Sequence, residues 1–77
     1  MENIVTLEKM PVGREAKIYK IEAQGDIKRR ILDLGMIEGT KIRAVLRSPL
    51  GDPTAYEVRG SMISLRQEDA NQIQVVL

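Results

Sequence analysis

The apolar positions of the chain follow two rhythms, and the switch between them falls inside one stretch, Arg29 to Val45, RRILDLGMIEGTKIRAV. Before the switch, Ile27, Ile31 and Leu34 recur at i, i+4 and i+7 with Leu32 beside them. That spacing gathers apolar side chains on one face of a helix. It predicts a helix over about 26–34, with the Asp26 carboxylate as N-cap. After the switch the period is two: Ile42, Ala44 and Leu46 point one way, Lys41, Arg43, Val45 and Arg47 the other, which is a strand. Gly35 and Gly39 bracket the change. Gly35 follows the last helical turn, where a residue without Cβ enters the left-handed region that costs others about 1–2 kcal/mol. Gly39 supplies the turn into the strand. Met36 and Ile37, between the glycines, are expected to plug the end of the core. A helix this short does not persist alone in water, so its apolar face must be docked. On that reading Leu34→Ala costs about 2–5 kcal/mol.

The rest of the chain reads as short strands and turns. Ala16 to Glu22 is β-compatible, and its phase slips between Ile18 and Ile21, which fits a bulge or a strand covered on both faces. Ser48-Pro49-Leu50-Gly51-Asp52-Pro53 is a turn-rich connection to a strand from Thr54 to Arg59, on which Tyr56 and Val58 share a face. Gly60 ends that strand, and Ser61 to Leu65 makes another. A helical turn near 66–72 centres on Ala70, and Ile73 to Leu77 closes the chain. The expected fold is mainly β: a single domain over 1–77, a small barrel of about five strands with one inserted helix. Closure of the barrel would remove exposed sheet edges.

Composition narrows the chemistry. Seventy-seven residues allow one compact core. There is no cysteine and no histidine, so disulfides, thiolate metal cages and His-based catalytic arrangements are excluded. The lack of cysteine fits a reducing, cytoplasmic compartment. MENIVTLEK reads as no signal peptide, and the longest aliphatic runs, Ala44-Val45-Leu46 and Val75-Val76-Leu77, fall far short of the ~20 residues that cross a bilayer. Twelve Lys and Arg against eleven Asp and Glu leave a net charge of +1, too balanced for a partner held through phosphates. Lys28-Arg29-Arg30 reads as a solvated helix face, and Tyr19 and Tyr56 make a poor stacking platform for bases. Nucleic acid is therefore not the expected partner. No phosphate-binding glycine loop is present. Glu68-Asp69 point apart on one turn, and Met1, Met10, Met36 and Met62 are scattered as core filler is. No catalytic residue, metal ligand or cofactor is expected.

What remains is the loop from Arg47 to Pro53. Its bland reading is a hairpin connection in which Gly51 and Pro53 set turn dihedrals and Asp52 bonds its own backbone. Its functional reading starts from Leu50, an apolar side chain held near the surface by turn formers, with Arg47 close by. Leu50→Ala or Asp52→Ala is then expected to weaken docking while leaving the fold intact. Arg47 and Arg59 flank loops, where an arginine could be supplied in trans to a partner.

Met10-Pro11-Val12-Gly13, Ile31-Leu32-Asp33-Leu34-Gly35-Met36, Glu38-Gly39-Thr40 and Ser48-Pro49-Leu50-Gly51-Asp52-Pro53, taken in order, resemble the FeoA family. So does the tail, Tyr56-Glu57-Val58-Arg59-Gly60 followed by Ile63-Ser64-Leu65-Arg66 and Ile73-Gln74-Val75. The resemblance implies an SH3-like barrel with a helix inserted after its first long strand. It implies a non-enzymatic accessory or adaptor protein of bacterial ferrous iron uptake that binds the cytosolic, GTPase-containing part of the transporter FeoB, without inserting in the membrane, and leaves room for weak self-association. Candidate contacts are Arg47, Leu50, Asp52 and Arg59, with Gly35, Gly39, Gly51 and Pro53 as structural turns. A second reading is a regulatory interaction module, since a similar SH3-like domain forms the C-terminal part of metal-dependent transcriptional repressors.

Overall fold

The structure, a computed structural model, describes residues 3–77, so Met1 and Glu2 lie outside it. Along the chain run β1 (Ile4–Thr6), a 3-10 turn (Leu7–Lys9), β2 (Glu15–Ile21), α1 (Gly25–Asp33), β3 (Lys41–Arg47), β4 (Thr54–Val58), β5 (Ser61–Leu65), α2 (Gln67–Ala70) and β6 (Ile73–Val76). The strands form one antiparallel sheet in the order β1-β6-β2-β3-β4-β5. It wraps one core, in which Leu7, Met10, Ile18, Ile31, Met36, Ile42, Tyr56, Val58, Ile73 and Val75 are fully buried.

Six strands form where about five were expected. The extra one, β1, pairs Ile4 with Val76 and Thr6 with Gln74, across the whole length of the chain. The curl also stops short of closure: β1 and β5 end the strand order and are not paired with each other among the described residues. The slip between Ile18 and Ile21 is a true irregularity, since the register of β2 on β6 shifts between Ile18 and Lys20.

The two glycines do what the change of rhythm requires. Gly35, at φ +89°, follows the helix, and its N–H donates to Leu32 O (2.9 Å) while that of Met36 donates to Ile31 O (3.3 Å). This pair of bonds satisfies the end carbonyls of α1 and swings Met36 back under the sheet. Gly39, at φ +88°, donates to Ile18 O (2.7 Å), and Ile18 N–H donates to Thr40 O (2.9 Å), so the turn is stitched directly to β2.

Four local expectations are corrected. Helix α1 begins at Gly25 with Gln24 as N-cap and no side-chain cap bond, which leaves Asp26 in the first turn, where its charge still meets the helix dipole favourably. Of the helix face only Ile31 is buried; Ile27, Leu32 and Leu34 are each partly exposed, Leu34 by 39%. The helix lies against the barrel along a single ridge. Ile37 faces solvent while Met36 alone fills the end of the core. Leu46 is 65% exposed because the β3–β4 register shifts between Ala44 and Leu46, turning it off the inner face.

Candidate functional site

The connection between β3 and β4 is tied at both ends. Gly51 N–H donates to Ser48 O (2.7 Å) across a β-turn with Pro49 second in line, and Ser48 N–H donates to Pro53 O (3.1 Å). The Asp52–Pro53 peptide is cis. These constraints lift Leu50 to the tip, 93% exposed.

The polar residues beside it are engaged within the protein. Arg47 Nη2 donates to Met10 O (3.2 Å) and reaches Glu8 O (3.4 Å), tying the end of β3 to the segment after β1. Asp52 does not bond its own backbone. Its Oδ1 accepts from Gln67 N–H (2.8 Å), the first residue of α2, which has no cap of its own from Arg66. Behind the loop Glu8, Arg47, Asp52, Thr54, Tyr56 and Gln67 line a small polar hollow of about 250 Å³. Glu8 Oε1 accepts from Thr6 Oγ1 (2.8 Å), and Oε2 has no partner among the described residues. Burial pushes the Tyr56 hydroxyl above its ordinary pKa, opposed by its hydrogen bond with Thr54 and by the Arg47 charge.

Arg59 is elsewhere. It sits at φ +53° beside Gly60 at φ +82° in the two-residue turn between β4 and β5, as a type I′ hairpin requires. Its Cδ lies 3.9 Å from where a Cβ on Gly35 would stand, which places it over the end of α1. The structure thus brings Arg47, Leu50 and Asp52 into one loop and leaves Arg59 at the opposite end of β4. Sequence reasoning missed the ion pair of Arg30 with Asp69 (2.8 Å), which joins α1 to α2 across 39 residues. No local pattern announces such a contact. Among the described residues no three acidic side chains gather as a metal-ligand cluster, and no helix is long and apolar enough to cross a membrane.

A curled antiparallel sheet with a helix in one connection and tight loops defines a small SH3-like module. A family model, the FeoA domain, matches residues 5–77. The chain belongs to the FeoA family, which serves ferrous iron transport. It is 38% identical over 71 residues to the Fe(2+) transport protein A/Fe(2+) transporter FeoB fusion protein of Porphyromonas gingivalis; the match takes in 92% of this chain and 8% of that protein's length. The iron(II) transport protein A of Clostridium thermocellum superposes with a TM-score of 0.92 at 29% identity, over 95% of this chain and 45% of that one. FeoA of Stenotrophomonas maltophilia, a prokaryotic SH3 domain protein seen complexed with zinc, gives 0.82 at 28% identity over 92% and 88%. A manganese-dependent transcriptional repressor shares the fold, with a TM-score of 0.88 at 17% identity over 99% of this chain and 42% of that one.

Proposed function

We propose that this chain is a non-enzymatic adaptor of bacterial ferrous iron uptake that docks on the cytosolic, GTPase-containing part of FeoB and assembles or tunes it. The observation that carries the reading is the Porphyromonas gingivalis relative, in which a domain similar to nearly all of this chain shares one polypeptide with FeoB. A covalent link holds two modules at an effective concentration of about millimolar, which is of use only if they work in contact. The Leu50 tip supports it: a rigid loop offering one aliphatic anchor loses little entropy on binding. The likeness to the repressor rests on the fold alone and supports no regulatory partner. Arg47 is a poor catalytic arginine for a partner's nucleotide, because its guanidinium already serves two carbonyls.

Calorimetric titration of the chain into the soluble cytosolic domain of FeoB, with and without a GTP analogue, tests the reading. Association in the micromolar range is expected, and Leu50→Ala should weaken it about tenfold, the ~1.4 kcal/mol of a modest anchor. No association at tens of micromolar, together with normal iron uptake after deletion, refutes the adaptor. Equal affinity of Leu50→Ala moves the contact away from the loop.

A further inference from the structure

The two ends of the sheet are protected unequally. Strand β1 has three residues, too few to template a neighbour. Strand β5 has five, Ser-Met-Ile-Ser-Leu, with no charge, no proline and an unbroken register against β4. Charges, prolines and bulges are the usual guards of an open edge, and β5 has none of them. The two-residue turn makes Val58 and Ser61 a hydrogen-bonded pair, so Ser61, Ile63 and Leu65 spend their backbone groups on β4. The N–H and C=O of Met62 and Ser64 therefore point to the open side, and neither takes another protein partner among the described residues.

A groove of about 730 Å³ opens at the Ser64–Leu65 end of β5. Its near wall is Ser64, Leu65 and Arg66; its far wall is Ile27, Arg30 and Leu34 of α1 and its cap. Ile27 and Leu34 are two of the three apolar side chains of that helix face left half-exposed, the third being Leu32. Arg59 precedes β5 and Arg66 follows it, and neither is paired with a carboxylate among the described residues, whereas Arg30 is held by Asp69. Glu68 is the one carboxylate on the lining without an ion-pair partner among the described residues.

Building on the adaptor reading, we infer that this edge receives an extended segment of the partner protein as an added strand. Its backbone pairs with Met62 and Ser64, alternate apolar side chains meet Ile27 and Leu34, and an acidic residue lies near Arg59 or Arg66. An added strand seats about 4.8 Å from its neighbour, and Ser64, one of its two pairing residues, lies on the groove. A second copy pairing antiparallel through the same edge would set Arg59 near the other copy's Arg66, like charges at both ends, which favours an acidic segment of the partner as the occupant.

Hydrogen exchange of the full chain, followed by NMR with and without the cytosolic domain of FeoB, tests this. Exchange at the Met62 and Ser64 amides should slow at least tenfold on binding. Ser64→Pro removes an N–H that the native ladder does not use and should bind at least tenfold more weakly with a folded spectrum. If that variant fails to fold, Leu34→Glu on the exposed far wall should give the same loss. FeoB binding with unchanged exchange at both amides, or with full affinity in the folded variants, overturns the edge while the adaptor stands. No binding at all overturns both. Concentration-dependent protection of these amides without FeoB makes the occupant a second copy, and overturns the partner segment.

Discussion

Asp52→Ala removes the one side-chain acceptor on the first N–H of α2, Asp52 Oδ1 to Gln67 N–H at 2.8 Å. A four-residue helix has few bonds of its own, so this cap also fixes how the 48–53 loop sits against the barrel. Replacing a capping side chain by Ala costs about 0.5–2 kcal/mol, and bonds to a charged acceptor about 1.5–3 kcal/mol. Asp52 is half-buried, so solvent competes for the bond and the loss should be about 1–2 kcal/mol. For a domain of this size that lowers Tm by about 5–15 °C. Urea and thermal unfolding of Asp52→Ala, Asp52→Asn and Leu50→Ala measure it. The Asn variant keeps a carbonyl acceptor and should recover at least half of the loss. Leu50→Ala, at the solvent-exposed tip, should stay within about 0.5 kcal/mol of the parent. An Asp52→Ala protein as stable as the parent refutes the cap. The same set separates recognition from support: lost affinity in Leu50→Ala reports a contact, whereas lost affinity in Asp52→Ala can follow from a loop set adrift.

Ile31→Ala, at a fully buried position, should cost about 2–5 kcal/mol in urea unfolding, while Leu34→Ala, partly exposed, should cost under about 1.5; a reversed order would put the wrong ridge of α1 on the barrel. Gly35→Ala should lose at least about 1 kcal/mol from its φ of +89° alone, since the nearest neighbour, Arg59 Cδ at 3.9 Å, leaves room for the methyl; an unchanged midpoint would dismiss the left-handed stop. Tyr56 is held above its unfolded pKa of 10.0, so the unfolded chain releases that proton first. The stability it confers is whole below pH 10 and is lost as pH rises through the folded value. Unfolding midpoints measured from pH 8 upward should therefore fall less steeply above pH 10 in Tyr56→Phe than in the parent, and equal slopes would contradict it.

What could be read from the sequence was whatever a residue dictates locally. Gly35 and Gly39 were legible because only glycine takes a φ near +90° at low cost, and the break at Ile18 because a slipped period has few explanations in a strand. Strand β1 was not, because three residues carry no period and its partner Val76 lies at the far end of the chain. Leu46 was misread because the bulge after Ala44 turns it outward without changing the alternation of residue types. Leu34 was misread because helical spacing tells which side chains share a face, not how much of that face meets the barrel. In the candidate site, Leu50 was legible from its flanking turn formers. The duties of Arg47 and Asp52 were not, since their partners Met10 and Gln67 stand 37 and 15 residues away.

Those duties bear on what the surface can recognise. The charged groups nearest the loop tip are largely spent on the protein's own backbone, Arg47 on two carbonyls and Asp52 on an amide. The clearest interhelical charge pair, Arg30–Asp69, braces α1 against α2 beside the groove. Such bonds rigidify the walls of a binding surface without offering it charge, so little ordering remains to be done on association. Free at these two places, among the described residues, are an aliphatic tip at Leu50 and the outward backbone groups of β5, with an arginine at each end of the strand. The Asp52–Gln67 bond puts the tip's loop at the Arg66 end of that edge, so one elongated partner segment could engage both. Main-chain pairing would then supply affinity, and the apolar tip and helix ridge would select the sequence.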